Sequence, residues 1–178
     1  VVDPGPLATA APEISLRALS RVLQCVAGAE YPPRFERLSR LGEAIAAGLG
    51  SARTLSGCRI VPWGGGIMVC REAAATAPPL PLTVGTSRRW DGRFTVGLSA
   101  SGEARRGDHT VARLGLGGWR QVVTARPELG ETALPAPVRT VLPALWRSDR
   151  VISVPHLDFD RSPAGARPRL RVSTRFQP

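Results

Sequence analysis

Two histidines, three cysteines and a large surplus of arginine are the residues here that could do chemistry. His109 and His156 stand far apart, and neither has Cys or His neighbours at zinc-ligand spacing. Cys25, Cys58 and Cys70 are too few, and odd in number, for a disulfide framework. Cys58 and Cys70 are nearly symmetric about Pro62–Gly66, so a hairpin there brings them face to face. They are expected as buried thiols acting as small hydrophobes, with a redox pair as the alternative. No Gly-x-Ser-x-Gly elbow and no His-Glu-x-x-His occurs. Gly64-Gly65-Gly66 lacks the strand–loop–helix setting of a phosphate cradle and reads as a hairpin turn. All 24 basic residues are Arg, and the chain has no Lys. That removes a Walker A lysine and Schiff-base chemistry. What remains is the guanidinium fork, which matches phosphate and carboxylate bidentately.

The arginines gather. Arg17 and Arg21 lie four apart, as helix neighbours do. Arg34 and Arg37, and Arg53 and Arg59, follow. Further clusters are Arg88-Arg89, Arg105-Arg106, and Arg167, Arg169 and Arg171. Arg105-Arg106, beside Gly and Ser, reads as a solvated loop. Lys and Asn are absent and Ile is scarce, as a GC-rich genome would produce, but codon bias does not choose between Arg and Glu. The net charge of +10 over 178 residues points to a polyanion: nucleic acid, an acidic membrane face or an acidic protein. Trp63, Trp90, Phe94, Trp119 and Trp146 lie among these arginines. With only four Trp, four Phe and one Tyr, core packing is expected before a base-stacking surface.

The elements that must position these side chains are legible in part. Residues 1–13 are Pro/Ala-rich and read as a linker. Apolar residues at 16, 19, 22, 23 and 26 mark one helix face, and Gly28 supplies a stop. Phe35, Leu38, Leu41, Ile45 and Leu49 mark a second helix after Pro32-Pro33, with Glu36 four before Arg40 as a favourable pair. Residues 53–61 and 67–71 read as a β-hairpin. Residues 89–98 read as a strand bent at Asp91-Gly92. Residues 110–116 and 119–124 read as weaker strands around Gly117-Gly118, and 136–146 as a short helix interrupted by Pro143. Residues 151–154 and 170–176 read as late strands. The fold class is therefore α+β: an N-terminal helical hairpin (1–50), then a mostly antiparallel β-rich domain with one short helix (51–178), with a subdivision near 100. Residues 1–50 balance five Arg against five acids, so the β-rich part carries the positive charge. No run reaches the ~20 apolar residues of a membrane span, so no membrane partner is expected, and the cytoplasm is the default compartment. The chain opens without Met, which suggests an excerpt of a longer protein or a processed chain.

Four groups of strings, in order, carry a resemblance. The first is the helix Leu16-Arg17-Ala18-Leu19-Ser20-Arg21-Val22-Leu23 with Tyr31-Pro32-Pro33-Arg34-Phe35-Glu36-Arg37-Leu38. The second is Arg53-Thr54-Leu55-Ser56-Gly57-Cys58-Arg59-Ile60 with Val69-Cys70-Arg71-Glu72. The third is Trp90-Asp91-Gly92-Arg93-Phe94 with Gly118-Trp119-Arg120-Gln121. The fourth is Leu134-Pro135-Ala136-Pro137-Val138-Arg139, then Leu142-Pro143-Ala144-Leu145-Trp146 and Val154-Pro155-His156-Leu157. Together, over roughly residues 14–157, they resemble the C-terminal half of tRNA(Ile)-lysidine synthase in its alphaproteobacterial form. Better-known bacterial members often carry an Arg-rich stretch around Gly-Asp-Arg, where this chain has residues 114–120, rich in Gly.

The resemblance implies a function. The family joins free lysine to the wobble cytidine of the isoleucine tRNA with a CAU anticodon, after ATP adenylates that base. Its ATP site is a Ser-Gly-Gly-x-Asp-Ser loop, which this chain lacks. ATP and Mg are therefore assigned to an N-terminal catalytic domain absent here; this chain binds no cofactor or metal and is expected to be inactive alone. Its expected partners are that tRNA and its own catalytic domain. The expected tRNA contacts are Arg17, Arg21, Arg34, Arg37, Arg53 and Arg59, with Arg93, Arg120 and Arg139 as a second tier. The alternative is a non-catalytic docking or homodimerising module without RNA contact.

Overall fold

Leu19, Leu23 and Ala27 recur every fourth residue and are the buried stripe of helix α2 (Pro12–Ala27). Gly28, at φ +64°, ends it: the Gly28 and Ala29 N–H groups donate to the carbonyls of Cys25 and Gln24. Helix α3 (Phe35–Ala46) buries Leu38, Leu41 and Ile45. The two helices form the expected hairpin. Residues 1–13 are not the linker read from their composition. Pro4–Thr9 is helix α1, capped by Asp3, whose carboxylate accepts from the Gly5 N–H at 2.9 Å. Val2 exchanges backbone hydrogen bonds with Ile67.

The computed structural model describes residues 1–100, 109–161 and 168–174, with the backbone alone at Ala100 and over 168–174. The Arg105-Arg106 cluster and Arg167 lie outside the described residues. Contacts group the chain into Val1–Ala75 and Thr76–Phe176, so the first sheet groups with the helices rather than with the chain that follows Ala75.

In the first unit, strands β1 (Arg53–Leu55), β2 (Cys58–Trp63) and β3 (Gly66–Arg71) form an antiparallel sheet in that order. The stretch 53–61, expected as one strand, is broken by a Ser56-Gly57 turn with φ of +50° and +73°. The β2–β3 hairpin turns on Gly64-Gly65, both at positive φ. Leu19, Leu23, Leu38, Leu41, Ile45, Cys58 and Ile60 share one core. Full burial of each large member contributes roughly 1.5–3 kcal/mol. The register pairs Cys58 with Arg71 and Cys70 with Arg59. Directly opposed residues share a face and neighbours alternate, so Cys58 and Cys70 occupy opposite faces. They do not face each other, which overturns the redox-pair alternative; both are buried.

The second unit holds two antiparallel sheets. One is β5 (Ser87–Trp90), β6 (Phe94–Ala100) and β11 (Pro168–Thr174), in the order β11-β6-β5. The other runs β10-β9-β8-β7-β4, from β4 (Leu80–Leu82), β7 (His109–Arg113), β8 (Pro143–Arg147), β9 (Arg150–Val154) and β10 (Phe159–Asp160). Trp90, Phe94, Val96 and Leu98 pack with Leu82, Val111 and Leu145 between the two sheets. The far face of the five-stranded sheet is covered by helix α4 (Gly115–Ala125), through Val122, Ala144, Val151 and Val154. A short helix α5 (Ala136–Arg139) leads into β8. The α+β class stands, with corrections inside it. The bend at Asp91-Gly92 is a full reversal between β5 and β6. Residues 115–125 are helical, not strand. The helix expected over 136–146 stops at Arg139, and Pro143–Arg147 is a strand whose first three residues are buried in succession, hence on both faces.

Candidate nucleic-acid interface

Arg37, Arg40 and Leu41 sit three and four residues apart on α3, hence on one side of it. Beside them lies β1, an edge strand. Arg53 pairs with Ile60 and so shares the helix-facing side of the sheet, whereas Thr54 pairs with Arg59 on the other side. Between helix and edge strand opens a cleft of about 500 Å³ lined by Arg37, Arg40, Arg53, Thr54, Ser56 and Glu72, with Leu41 and Leu55. The turn that carries Ser56 is held by Arg71, whose guanidinium donates to the carbonyls of Gly57 and Ala75. All three cleft arginines are exposed. Among the described residues none of the three has a carboxylate within ion-pair distance, unlike Arg17 with Glu13, Arg93 with Asp91 and Arg126 with Glu128. The expected Glu36–Arg40 pair does not form. Three guanidinium forks against one carboxylate leave the cleft electropositive, with hydroxyls at its edge. Such a site suits an oxyanion carrying several acceptor oxygens.

The six first-tier arginines are all exposed. Arg37 and Arg53 converge on the cleft. Arg34 precedes α3 and lends its carbonyl to the Arg37 and Leu38 N–H groups. Arg21 stands on α2. Arg17 pairs with Glu13 at 2.6 Å in full solvent, an interaction worth little. Arg59 lies on the sheet face opposite Arg53. Sequence reasoning missed Arg40, Thr54 and Ser56; the three-residue step from Arg37 and the adjacency to Arg53 were the available signals.

The second tier divides. Arg120 is exposed on α4. Arg93 is drawn into the fold: its Nε and Nη2 donate to Oδ2 of fully buried Asp91 at 2.9 and 2.6 Å, and it lies 4.6 Å over the Phe94 ring. Asp91 also accepts from the Ala77 N–H. Arg93 is thus neutralised by a structural partner. Arg139 stacks on Trp119 at 4.3 Å. The aromatics are mostly core, as expected: Trp90 and Phe94 are buried, and Trp119 and Trp146 pack against the α4 cluster, while Trp63 is 45% exposed.

The histidines hold no catalytic geometry. His109 is buried, and its Nε2 faces Arg147 Nη2 at 3.1 Å. A guanidinium only donates, so this nitrogen is the acceptor of the contact. His156 keeps part of its surface in solvent but meets Phe94 edge-on, and the partial desolvation on that side, then the Arg93 charge, hold its pKa below the usual 6.5. Among the described residues no three His, Cys, Asp or Glu side chains stand together as a metal site would need. The residues do not fit a nucleotide triphosphate loop either: Gly64-Gly65 joins two strands, and no helix N-terminus follows it. No described helix is long and apolar enough to cross a membrane.

By fold and site this is an arginine-rich α+β segment that carries an anion-suited cleft. Its sequence relatives are specific. It is 30% identical over 152 residues to the tRNA(Ile)-lysidine synthase of Caulobacter vibrioides, covering 83% of this chain and 35% of that protein. It is 29% identical over 161 residues to that of Ruegeria pomeroyi, covering 87% and 34%. A 50-residue stretch is 52% identical to that of Hyphomonas neptunium. The chain is thus related to the tRNA(Ile)-lysidine synthases, a tRNA-modifying enzyme family, and spans about a third of the length of these relatives. No family profile matches it, and no solved structure does.

Proposed function

We propose that this chain is a tRNA-holding portion of a tRNA(Ile)-lysidine synthase. In this reading the whole enzyme, in the cytoplasm, joins lysine to the wobble cytidine of the CAU-anticodon isoleucine tRNA. ATP and Mg are held by a separate catalytic domain, and this chain alone is inactive. Its contribution is remote binding energy: arginine contacts along the tRNA fix where the wobble base lies, so the reaction begins from an oriented complex. The observation that carries the reading is the convergence of Arg37, Arg40 and Arg53 on one cleft beside the single carboxylate of Glu72, none of the three being ion-paired among the described residues. Arg21, Arg34, Arg59 and Arg120 are further contacts on exposed surface.

A docking module is the second reading. Tyr31 and Phe35, 77% and 71% exposed around Pro32-Pro33, favour it. The triple variant Arg37→Ala, Arg40→Ala, Arg53→Ala separates the two. Each lost phosphate contact lowers the slope of log K against log salt by ~0.7–0.9, so the variant should lose about two units of slope and bind the CAU-anticodon tRNA more weakly. Arg21→Ala should lose about one contact. A triple variant that binds with wild-type affinity and slope removes the cleft from the interface and favours docking.

A further inference from the structure

The cleft between α3 and β1 holds more donors than one link of an RNA backbone can use. Arg37, Arg40 and Arg53 each present a planar fork that closes bidentately on two acceptor oxygens. Three forks together can engage six oxygens. An internal phosphodiester offers two non-bridging oxygens and one negative charge. A diphosphate offers up to six, with a higher charge. Glu72 is the single carboxylate at the cleft, so the positive excess remains. The room is also there. A volume of about 500 Å³ falls among small-ligand pockets, ~300–1,000 Å³, so a small anion enters whole rather than by one edge.

The fold itself does not use these donors. Among the described residues the side chains of Arg37, Arg40, Arg53, Thr54 and Ser56 make no hydrogen bond and no ion pair. Arg37 and Arg40 stand three apart on one helix face, where like charges repel. An anion between them relieves that repulsion. Ser56 holds φ +50°, in a two-residue turn where Asn, Asp or Gly is the usual occupant. Serine there adds a hydroxyl to the cleft wall.

We propose that the cleft binds a small free polyphosphate, a di- or triphosphate, and that this anion and the tRNA backbone exclude each other there. Polyphosphate concentration then sets how firmly the chain holds tRNA. The exclusion rests on the reading of the cleft as a tRNA contact; binding of the free anion does not. The probe is inorganic pyrophosphate without divalent cations, against inorganic phosphate and sodium chloride at matched ionic strength. The full chain and the triple variant Arg37→Ala, Arg40→Ala, Arg53→Ala are compared by thermal melts, then by titration with the CAU-anticodon tRNA. Pyrophosphate should raise the wild-type melting temperature several degrees more than phosphate does, and the triple variant should lose that excess. Saturating pyrophosphate should weaken tRNA binding by the wild type to the level of the triple variant and no further. General screening has no such floor. Equal melting shifts with pyrophosphate and phosphate in the wild type overturn the site, whether or not the variant folds; so does an excess that survives in a folded variant. If pyrophosphate binds as expected while tRNA fails to bind at low salt, the tRNA-holding reading falls and the free-anion site stands. If both bind and pyrophosphate leaves tRNA affinity where matched chloride does, the exclusion is overturned.

Discussion

Among the arginines, exposure and partnership separate two roles that sequence alone could not. Arg93 and Arg37 look equivalent in a string of letters, yet one closes on a buried carboxylate and the other faces an open cleft. Asp91→Ala removes the carboxylate to which the part-buried Arg93 guanidinium and the Ala77 N–H donate; the loss should be about 3–5 kcal/mol, read by urea unfolding. Arg17→Ala, which breaks only an exposed pair, should stay within about 0.5 kcal/mol. His156 gives a pH signature. The fold holds its pKa below 6.5, so the folded state favours the neutral ring. Its contribution is complete above pH 6.5 and is lost as pH falls below that value towards the lower folded pKa. Melting temperature should therefore drop less on acidification in His156→Phe than in the wild type. Identical pH dependence in the two would contradict this account of His156.

Among the elements, the helical hairpin was legible because α2 and α3 each keep one buried stripe at helical spacing. Helix α4 and strand β8 were not. Residues 115–118 include three glycines, a composition that argues against helix. Tertiary packing overrides it: a Cβ on Gly118 would meet Leu114 at 2.8 Å and the Trp146 ring at 2.9 Å, so only glycine lets this helix close on the sheet. Pro143, Ala144 and Leu145 are buried in succession, and such a run lacks the alternation that identifies a strand. Gly118→Ala should destabilise by about 1–3 kcal/mol through overpacking, despite alanine's better helix propensity. Gly117→Ala, with nothing within 4 Å, should stabilise by about 1 kcal/mol. Calorimetry of the pair checks both signs. The cleft was half legible for a related reason: Arg37 and Arg53 stood out as charges, but only the fold brings β1 against α3 and adds Arg40.

At the scale of the whole molecule, charge is divided unevenly. Eight Arg against six acids lie in Val1–Ala75, and sixteen against eight in Thr76–Phe176. Composition showed the surplus, and the resemblance to tRNA(Ile)-lysidine synthases gave it a polyanion. The folded chain gathers part of it, Arg37, Arg40 and Arg53, at the cleft of the first unit. The most direct test is the affinity of the intact chain for the CAU-anticodon isoleucine tRNA across a salt series, with elongator methionine tRNA as competitor. The account predicts tight binding at low salt that weakens steeply and linearly on logarithmic axes, with several phosphate contacts in the slope. Absence of binding at low salt, or affinity indifferent to salt, would contradict it.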